Sequence, residues 1–429
     1  MNATELPWRE PGEYFTEFVA RPFCAWLDTA TAATAEQHVS LMAAEPTCIL
    51  RAKGRRCQIL RANGTEDFEA DPFVILDELL AAHPSVVAIG YFGYDLKNLI
   101  EKLPATAEDD LGLPDCWFGF YDRLLRFDHL RQRLLCIAEA DAGSSPAANP
   151  CVLSRRGYLP LRSNFTREQY CAAVERIKQY IAAGDVYQVN LSQRFQCGVG
   201  ASAVDLYRAL RAANPAPYCA YLDVGEAQIL SSSPECFLRM NNRHILTRPI
   251  KGTIARNRDP QELLRSSKDN AELLMITDLE RNDLGRVCVF GSVHVPELVR
   301  VETYATVHHL VATVAGTLRS GISHVQALRA CFPGGSITGA PKIRAMEIID
   351  ELEPHARGVY CGAIGYFARD GTSQFNIAIR TLVYQQGLLT FHAGGGIVAD
   401  SQPEAEYEET LAKAEGMLRA IESVGLSQR

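Results

Sequence analysis

The sequence predicts a mixed α/β (α+β) protein whose sheets are largely antiparallel. Many short segments rich in β-branched and aromatic residues are interrupted by helical segments at irregular intervals. A doubly wound parallel sheet would instead require strands and helices to alternate regularly along the chain. With 429 residues, the chain is long enough for roughly two or three domains of ordinary size.

Composition and charge exclude several classes of protein. Hydrophobic residues make up 47% of the chain and charged residues 22%, which is the balance of a globular protein and not of a disordered, collagen-like or coiled-coil chain. The net charge of −8 argues against a nucleic-acid partner held by a basic face. It also means that an anionic substrate must be bound by locally placed cations.

Targeting and redox features predict a cytoplasmic protein. The N-terminus has neither the basic nor the apolar segment of a secretory signal, and no stretch reaches the ~20 apolar residues that a membrane helix needs. The 13 cysteines are scattered and form no C-x-x-C pair, so neither a zinc ribbon nor a dithiol redox motif is expected. We expect reduced core thiols instead.

The first 140 residues show mainly short strands and turns. The apolar run at 86–94 is punctuated by glycines, which is typical of a strand packed closely against a neighbour. Residues 125–138 follow a strand–turn–strand rhythm. A small, polar, proline-containing stretch begins after them. We therefore interpret 1–140 as an N-terminal region, 141–163 as a linker and 164–429 as a second, larger domain.

The remainder of the chain contains the clearest helix and strand patterns. A helix is expected over 166–183, because Thr166 can cap its N-terminus and Gly184 can end it. The other expected helices are 259–281, 325–330, 342–353 and 404–424. The expected strands are 186–191, 218–222, 228–232, 236–240, 360–368, 376–384 and 388–393.

Two pairs of acidic residues lie on predicted helices. Asp269 and Glu272 are three positions apart, and so are Glu406 and Glu409, with Lys413 four positions further on. These spacings place the side chains on one face of each helix. Carboxylates from two helices that meet can hold a hard cation such as Mg²⁺. The alternative is that each pair belongs to a solvated acidic helix face.

Two glycine-rich segments can expose backbone N–H groups. Residues 332–342 precede a predicted helix, where such groups favour an anion. An Ala-Pro pair stands where a phosphate-binding P-loop needs Lys followed by Ser or Thr, which disfavours an ATPase. Gly394, Gly395 and Gly396 follow a predicted strand and can bring N–H groups to a carboxylate. A tight turn is the alternative for both segments.

Single residues with catalytic potential lie between these segments. Lys251 is flanked by proline, an apolar residue and glycine, so its amine can occupy a confined space where lost hydration makes it a nucleophile. A surface lysine is the alternative. Glu235 can act as a general acid if its surroundings raise its pKa. His308 and His309 are adjacent, so only one of them faces a given side of a strand.

Taken together, these motifs resemble those of the chorismate-utilising enzymes. The resemblance runs from about residue 164 to the C-terminus and is carried by GDVYQVNLSQRF, SSSPECF, RPIKGT, KDNAELLMITDLERNDLGR, PGGSITGAPK, YCGAIGYF, AIRTLV, AGGGIVADS and EAEYEETLAKAEG. The segment GYFGYDL resembles the regulatory N-terminal region of the amine-transferring members. The resemblance implies an anthranilate synthase component I-like fold, in which two large antiparallel sheets pack face to face with helices outside and the active site lies in a cleft between them.

The same resemblance implies roles for individual residues. Glu272 and Glu409 match the Mg²⁺ ligands, and Asp269 and Glu406 match acidic positions that act directly or through water. Glu235 matches the general acid that assists departure of the C4 hydroxyl. The groups that match those binding the two substrate carboxylates are Tyr360, Arg380, Lys413 and the backbone of Gly394, Gly395 and Gly396, and those that match positions lining the substrate ring are Ser336 and His309.

Two positions distinguish the reactions within the family. Isochorismate-forming members carry a water-activating lysine where this chain has Gln188, and members that aminate chorismate at C2 carry alanine where this chain has Lys251. The resemblance therefore implies amination at C4 through a lysine-bound intermediate, in 4-aminobenzoate and folate biosynthesis. The alternatives are amination at C2 and a non-catalytic protein that binds chorismate or tryptophan.

The resemblance also implies how ammonia is supplied. No segment resembles a glutaminase with its cysteine, histidine and glutamate, so we expect ammonia to be free or delivered by a separate glutamine amidotransferase subunit. No nucleic-acid or membrane partner is expected. Three features depart from the family pattern: Cys236 replaces a common arginine, Ser336 replaces a frequent threonine, and residues 23–30 match the tryptophan-binding element only loosely.

Overall fold

The structure, a computed structural model, describes residues 2–31, 38–83, 87–138, 145–146, 159–304 and 307–425. Most of the predicted linker at 141–163 lies outside the described residues. The helices, numbered in chain order, are α1 (Pro11–Phe18), α2 (Pro72–Ala82), α3 (Lys97–Ile100), α4 (Arg167–Ala183), α5 (Ala203–Ala213), α6 (Gln261–Arg265), α7 (Ser267–Gly285), α8 (His324–Cys331), α9 (Lys342–Leu352) and α10 (Pro403–Ser423).

The strands are numbered in the same way. They are β1 (Asn2–Leu6), β2 (Ala25–Asp28), β3 (Val39–Ala43), β4 (Cys48–Lys53), β5 (Arg56–Arg61), β6 (Gly64–Glu69), β7 (Val87–Phe92), β8 (Cys116–Tyr121), β9 (Arg123–Asp128), β10 (Arg133–Ala138), β11 (Arg162–Ser163), β12 (Gln188–Gly198), β13 (Tyr218–Asp223), β14 (Gln228–Ser233), β15 (Cys236–Asn241), β16 (His244–Arg248), β17 (Ile250–Ala255), β18 (His294–Thr303), β19 (Val307–Thr317), β20 (Gly339–Ala340), β21 (Ala363–Ala368), β22 (Thr372–Ile377), β23 (Thr381–Gln385) and β24 (Leu388–Ile397).

These strands form two antiparallel sheets of 12 strands each. The order in the first sheet is β1-β10-β9-β3-β2-β13-β14-β23-β24-β12-β11, with β20 beside β12. The order in the second sheet is β17-β19-β16-β15-β22-β21-β7-β8-β4-β5-β6, with β18 beside β19. Strands from the first 140 residues extend both sheets and pair with strands from the rest of the chain, β2 with β13 and β7 with β21.

A hydrophobic core lies between the two sheets. Leu222 and Ile229 of the first sheet and Ile89, Trp117 and Ile364 of the second are buried in one cluster. Helices cover the outer faces, with α1, α5 and α10 on the first sheet and α2, α7 and α8 on the second. The fold class is therefore confirmed: two large antiparallel sheets pack face to face with helices outside.

Some helix ends agree with the capping residues that the sequence predicts, and others do not. The hydroxyl of Thr166 accepts a hydrogen bond from the backbone N–H of Gln169, and Gly184 ends α4 at φ +84°, as predicted. The single helix predicted at 259–281 is wrong. Ser266 is extended there and caps a second helix by accepting a hydrogen bond from the N–H of Asp269, so α6 and α7 are separate. The sequence patterns also miss α1, α2, α3 and α5.

The described residues carry no sign of a membrane span or a disulfide bond. Within them, no helix is both long and apolar enough to cross a membrane. The 12 described cysteines are all free thiols, and most of them are buried. Burial raises the pKa of such thiols, as for Cys219, whose pKa is about 12.

We predict that Gly90→Ala destabilises the protein. A Cβ atom at this position of β7 would lie 1.9 Å from the carbonyl oxygen of Trp117 in the neighbouring strand β8. The strands would have to move apart, at a cost on the order of 1–3 kcal/mol or more. Gly12→Ala in α1 is the control, because its added methyl group meets nothing within 4 Å and alanine favours a helix. Denaturant unfolding measures both variants, and equal midpoints would contradict the prediction.

Candidate active site

Two neighbouring segments cross from one sheet to the other at the same place. The chain leaves β14 in the first sheet and enters β15 in the second, and it returns from β22 in the second sheet to β23 in the first. The N–H of Ile377 donates to the carbonyl of Glu235 at 3.1 Å, and the N–H of Ser232 donates to the carbonyl of Arg380 at 3.0 Å. The single strand predicted at 376–384 is therefore wrong, because the chain changes sheets within it.

Arg380 lies at the second crossing with its backbone in the left-handed region, at φ +49°. Its guanidinium donates a hydrogen bond to the side-chain oxygen of Asn214 at 3.3 Å. No ion pair joins it to a carboxylate among the described residues. Lost hydration lowers the pKa of Arg380, and the nearby Glu235 opposes that shift. A desolvated guanidinium without a carboxylate partner is suited to bind an anionic group.

Lys251 lies on β17, at the end of the second sheet. Its amine donates a hydrogen bond to the backbone carbonyl of Ser336 at 3.3 Å. Lost hydration lowers the pKa of Lys251, and the carboxylates of Glu272 and Glu235 oppose that shift. The net change is downward, which increases the fraction of neutral, nucleophilic amine. This environment is that of a desolvated lysine and not of a free surface lysine.

Glu235 lies at the first crossing and is 5% exposed. Burial raises the pKa of its carboxyl group, while a hydrogen bond from the side chain of Ser336 and the charge of Lys251 oppose that shift. Ser336 thus contacts the amine through its carbonyl and the acid through its hydroxyl. A carboxyl group with a raised pKa beside a desolvated amine can donate a proton to a leaving group.

The two predicted acidic pairs lie on different helices, one on each sheet. α7, which packs on β17, carries Asp269 and Glu272, and α10, which packs on β24, carries Glu406 and Glu409. Burial raises the pKa of Glu272, Lys251 opposes this shift, and the negative charges of Asp269 and Glu409 add to it. The carboxylate of Glu409 on α10 is therefore close enough to that of Glu272 on α7 to repel it.

The α10 acids have protein partners in this structure. Glu409 pairs with Lys413 at 2.7 Å, and Glu406 accepts a hydrogen bond from the hydroxyl of Ser401 at 2.6 Å. Burial alone would raise the pKa of Glu409, but Lys413 holds it below its ordinary value. Burial also raises the pKa of Glu406. Within the described ranges, no three His, Cys, Asp or Glu side chains converge closely enough to hold a metal ion.

The donor set nevertheless fits a hard cation. Carboxylate oxygens are the ligands that Mg²⁺ prefers, and the repulsion between Glu272 and Glu409 is the kind that a bound cation relieves. Gly395 keeps space open beside these acids, since a Cβ atom there would lie 3.4 Å from Oε1 of Glu409 and 3.5 Å from Oε2 of Glu406. Glu272 and Glu409 would hold the cation, with Asp269 and Glu406 next to them.

Gly394, Gly395 and Gly396 continue β24 and do not follow it, which corrects the sequence interpretation. They pair with residues 190–192 of β12 on one edge, whereas β23 pairs only with residues 388–391 of β24. No described strand covers their other edge, so backbone groups there are available to a ligand. Lys413 reaches this segment and donates to the carbonyl of Gly394 at 2.9 Å.

Tyr360 and His309 are buried beside these elements. Tyr360 stacks on the ring of His392 with a centroid distance of 4.8 Å, and it precedes Cys361, whose N–H donates to the carbonyl of Ala378 at the second crossing. The strand predicted from residue 360 begins only at Ala363. Burial and the charge of Arg380 lower the pKa of His309 to about 3, so its ring is neutral.

Gln188 lies at the start of β12 and is buried. Its Nε2 atom occupies the space beside Gly396, where an added Cβ would come within 1.9 Å of it. Its Oε1 atom has no hydrogen-bond partner among the described residues. A buried, unpaired acceptor in this position can accept a hydrogen bond from a ligand.

Several supporting residues are absent from the sequence interpretation. Asn214 ends α5 and orients Arg380. Arg357 is buried and donates to the carbonyls of Ile337 and Asn190 at 2.9 and 2.7 Å, which ties the glycine-rich loop to β12. No local pattern reveals these contacts, because each joins residues that are far apart in the chain.

A separate cavity of about 920 Å³ lies between the sheets, and none of the predicted site residues lines it. Its wall includes Leu27, Asp28 and Thr29 from the segment at 23–30, together with Tyr218 and Cys219. Part of the segment that loosely matches a tryptophan-binding element therefore lines a cavity.

Comparison with known proteins bears on the family and on the fold. The family described as chorismate binding enzyme matches residues 24–419. The chain is 42% identical to aminodeoxychorismate synthase component 1 of Salmonella typhimurium, over 97% of this chain and 98% of that protein. It is 43% identical to anthranilate synthase component 1 of Thermus thermophilus, over 85% of both proteins. The crystal structure of anthranilate synthase component I from Streptococcus pneumoniae matches with a TM-score of 0.78 at 32% identity, covering 90% of this chain and 93% of that one.

The chain therefore belongs to the family of chorismate binding enzymes. The predicted family membership and the predicted fold are both confirmed.

We predict that Lys251 titrates below the ordinary lysine pKa of 10.5. The rate at which an amine-reactive reagent labels Lys251, followed by peptide mass spectrometry across pH, measures this pKa. Glu272→Gln should lower it further, because the variant removes a negative charge that favours the ammonium form. A higher pKa in Glu272→Gln than in the unmodified protein would contradict this reading of the site.

Proposed function

We propose that the chain aminates chorismate at C4 and forms 4-amino-4-deoxychorismate, as aminodeoxychorismate synthase component 1 does. The observation that carries the proposal is the desolvated amine of Lys251 beside the buried acid Glu235, both in contact with Ser336. The relative from Salmonella typhimurium, 42% identical over 97% of this chain, bears that enzyme's name and supports the proposal.

Substrate binding follows from the placement of cations and backbone donors. Chorismate carries two carboxylates, and the chain as a whole is acidic, so binding depends on local positive charge. Arg380 and Lys413 supply that charge, and the open edge of residues 394–396 supplies backbone groups. The buried Tyr360 adds a further group for these carboxylates, whereas Ser336 and the neutral ring of His309 bound the space in which the substrate ring lies.

The chemical step uses Lys251 and Glu235. The neutral Nζ of Lys251 forms a bond to C2 while the ring double bonds shift and the C4–O bond breaks, and the hydroxyl leaves as water with the proton of Glu235. Ammonia then forms a bond to C4, the double bonds shift back, and the C2–N bond to Lys251 breaks. The ammonia-derived nitrogen gives up one proton, which restores Glu235. Two successive displacements place the new amine at C4, which one attack by ammonia at C2 would not do.

A divalent cation belongs to this proposal. We propose that Glu272 and Glu409 hold Mg²⁺, with Asp269 and Glu406 beside them. In addition to burial, Asp269 and Glu409 raise the pKa of Glu272, and Glu409 raises that of Glu406, as expected of carboxylates that repel one another. When bound, the cation would neutralise a substrate carboxylate and help to orient it.

Amination at C2 is the second candidate, because the relative from Thermus thermophilus at 43% identity is named anthranilate synthase component 1. The lysine at position 251 favours C4 amination, since a nucleophile from the protein already occupies the side from which ammonia would attack C2. Incubation of the purified chain with chorismate, Mg²⁺ and ammonium, followed by NMR of the product, distinguishes the two reactions.

We predict that Lys251→Ala abolishes formation of 4-amino-4-deoxychorismate. Chorismate binding should largely survive, because Arg380 and Lys413 remain, and slow attack of ammonia at C2 can emerge in the vacated space. Lys178→Ala, at a partly exposed position of α4 where the amine lies near Glu175, is the control. Product analysis by mass spectrometry and NMR tests this expectation. A near-normal rate of C4 amination by Lys251→Ala would show that the lysine only positions the substrate.

We predict that activity requires Mg²⁺ and that Glu272→Gln or Glu409→Gln abolishes it, since each change removes one charge from a hard-cation site. Glu408→Gln is the matched control, because Glu408 lies on the same helix but pairs with Arg167 at the surface. Steady-state rates across a Mg²⁺ titration measure the requirement. Full activity in excess chelator would rule it out.

We also predict that this chain uses ammonium and not glutamine. No segment of the sequence resembles a glutaminase with its cysteine, histidine and glutamate, and we propose that a separate glutamine amidotransferase subunit delivers ammonia. Rates with each nitrogen source, measured on protein shown by mass spectrometry to be free of other chains, test the prediction. Turnover with glutamine alone would overturn it.

A further inference from the structure

Glu280 is a buried acid on α7 that the proposed chemistry does not use. It is 2% exposed, and it lies two turns beyond the acid Glu272 on the same helix. Its Oε1 atom accepts a hydrogen bond from the backbone N–H of Gly335 at 3.0 Å. Its Oε2 atom has no hydrogen-bond partner among the described residues.

The turn above Glu280 is the one that contacts both reactive groups. Residues 335–337 form a single 3-10 turn, and Ser336 within it gives its carbonyl to the amine of Lys251 and its hydroxyl to Glu235. Gly335 sits directly on α7, because an added Cβ would come within 2.6 Å of Leu279 and 3.1 Å of Oε1 of Glu280. The position of the turn therefore depends on the helix surface beneath it.

We propose that Glu280 is a positioning residue for Lys251 and Glu235, which it orients through the Gly335–Ser336 backbone; this inference rests on the proposed C4 amination. The Gly335 N–H is buried and has Glu280 as its acceptor. Loss of that acceptor leaves an unpaired donor, and the turn shifts to find another. A small shift of the Ser336 carbonyl moves the amine away from C2 of the substrate.

The protonation of Glu280 makes glutamine a conservative substitution at this position. Burial, followed by the negative charge of Asp283, raises the pKa of Glu280 to about 8, and Lys342 and the Gly335 N–H oppose that shift. Asp283 itself pairs with Lys342 at 2.5 Å. The raised pKa favours the uncharged form of Glu280, and glutamine reproduces the shape, the neutrality and the carbonyl acceptor of that form.

The test compares Glu280→Gln, Glu280→Met and Glu280→Asp. Methionine keeps the volume but removes the acceptor, and aspartate keeps the carboxyl group but shortens its reach. Thr277→Val, a buried near-isosteric change on the same helix, is the control; the hydroxyl of Thr277 donates to the carbonyl of Leu273 at 2.6 Å. The measurements are kcat with ammonium, the Kd of chorismate and the melting temperature of each full-length variant.

We expect Glu280→Met and Glu280→Asp to lower kcat by about tenfold or more while the Kd of chorismate changes by less than about threefold. Glu280→Gln and Thr277→Val should keep kcat within about threefold of the unmodified protein. If Glu280→Met does not fold, Glu280→Asp decides the matter. A folded Met or Asp variant with normal kcat would overturn the proposal, and so would a Gln variant that loses as much kcat as Met. Lys251→Ala, assayed in parallel, tests the C4 amination itself, so that a failure of either proposal can be recognised separately.

Discussion

The paired crossing between the two sheets is the constraint on which the site depends. Backbone N–H and C=O groups that are buried between two sheets must form hydrogen bonds. Here the segment that joins β14 to β15 and the segment that joins β22 to β23 form these bonds with each other. Ile377 donates to Glu235, Ser232 donates to Arg380, and the hydroxyl of Ser233 donates to Ile377 at 2.6 Å. Because neither crossing can move alone, an acid and a guanidinium emerge next to each other at the edge of the cleft.

Desolvation then sets the chemistry of the groups that gather there. It lowers the pKa of Lys251 and Arg380 and raises the pKa of Glu235 and Glu272. The charges of opposite sign moderate each shift, so the cluster remains stable in the folded protein without forming fully paired salt bridges. Cations that lack a complete set of partners favour an anionic substrate, and acids that repel one another favour a cation.

The glycine-rich loop links this electrostatic cluster to the rest of the fold. Its turn is held from below by Glu280 and from the side by Arg357, whose guanidinium also pairs with Glu353 at 2.7 Å. Gly335 allows the turn to lie directly on α7. The loop is therefore a rigid part of the sandwich, and its Ser336 can set the distance between the acid and the amine.

The sequence by itself determined the antiparallel α/β class, the family and the α4 boundaries, and its motifs name the candidate site residues, whose roles stay predictions. Capping residues such as Thr166 and Gly184 interact with residues only a few positions away, so the sequence alone predicts their effect. Sequence motifs are likewise recognised without knowledge of the fold. Only the tertiary structure decided that 376–384 divides between two sheets, that residues 394–396 remain in a strand with an open edge, and that Glu280 supports the loop. These features arise from contacts between distant segments, and no local pattern of hydrophobicity or turn residues encodes the partner of a hydrogen bond.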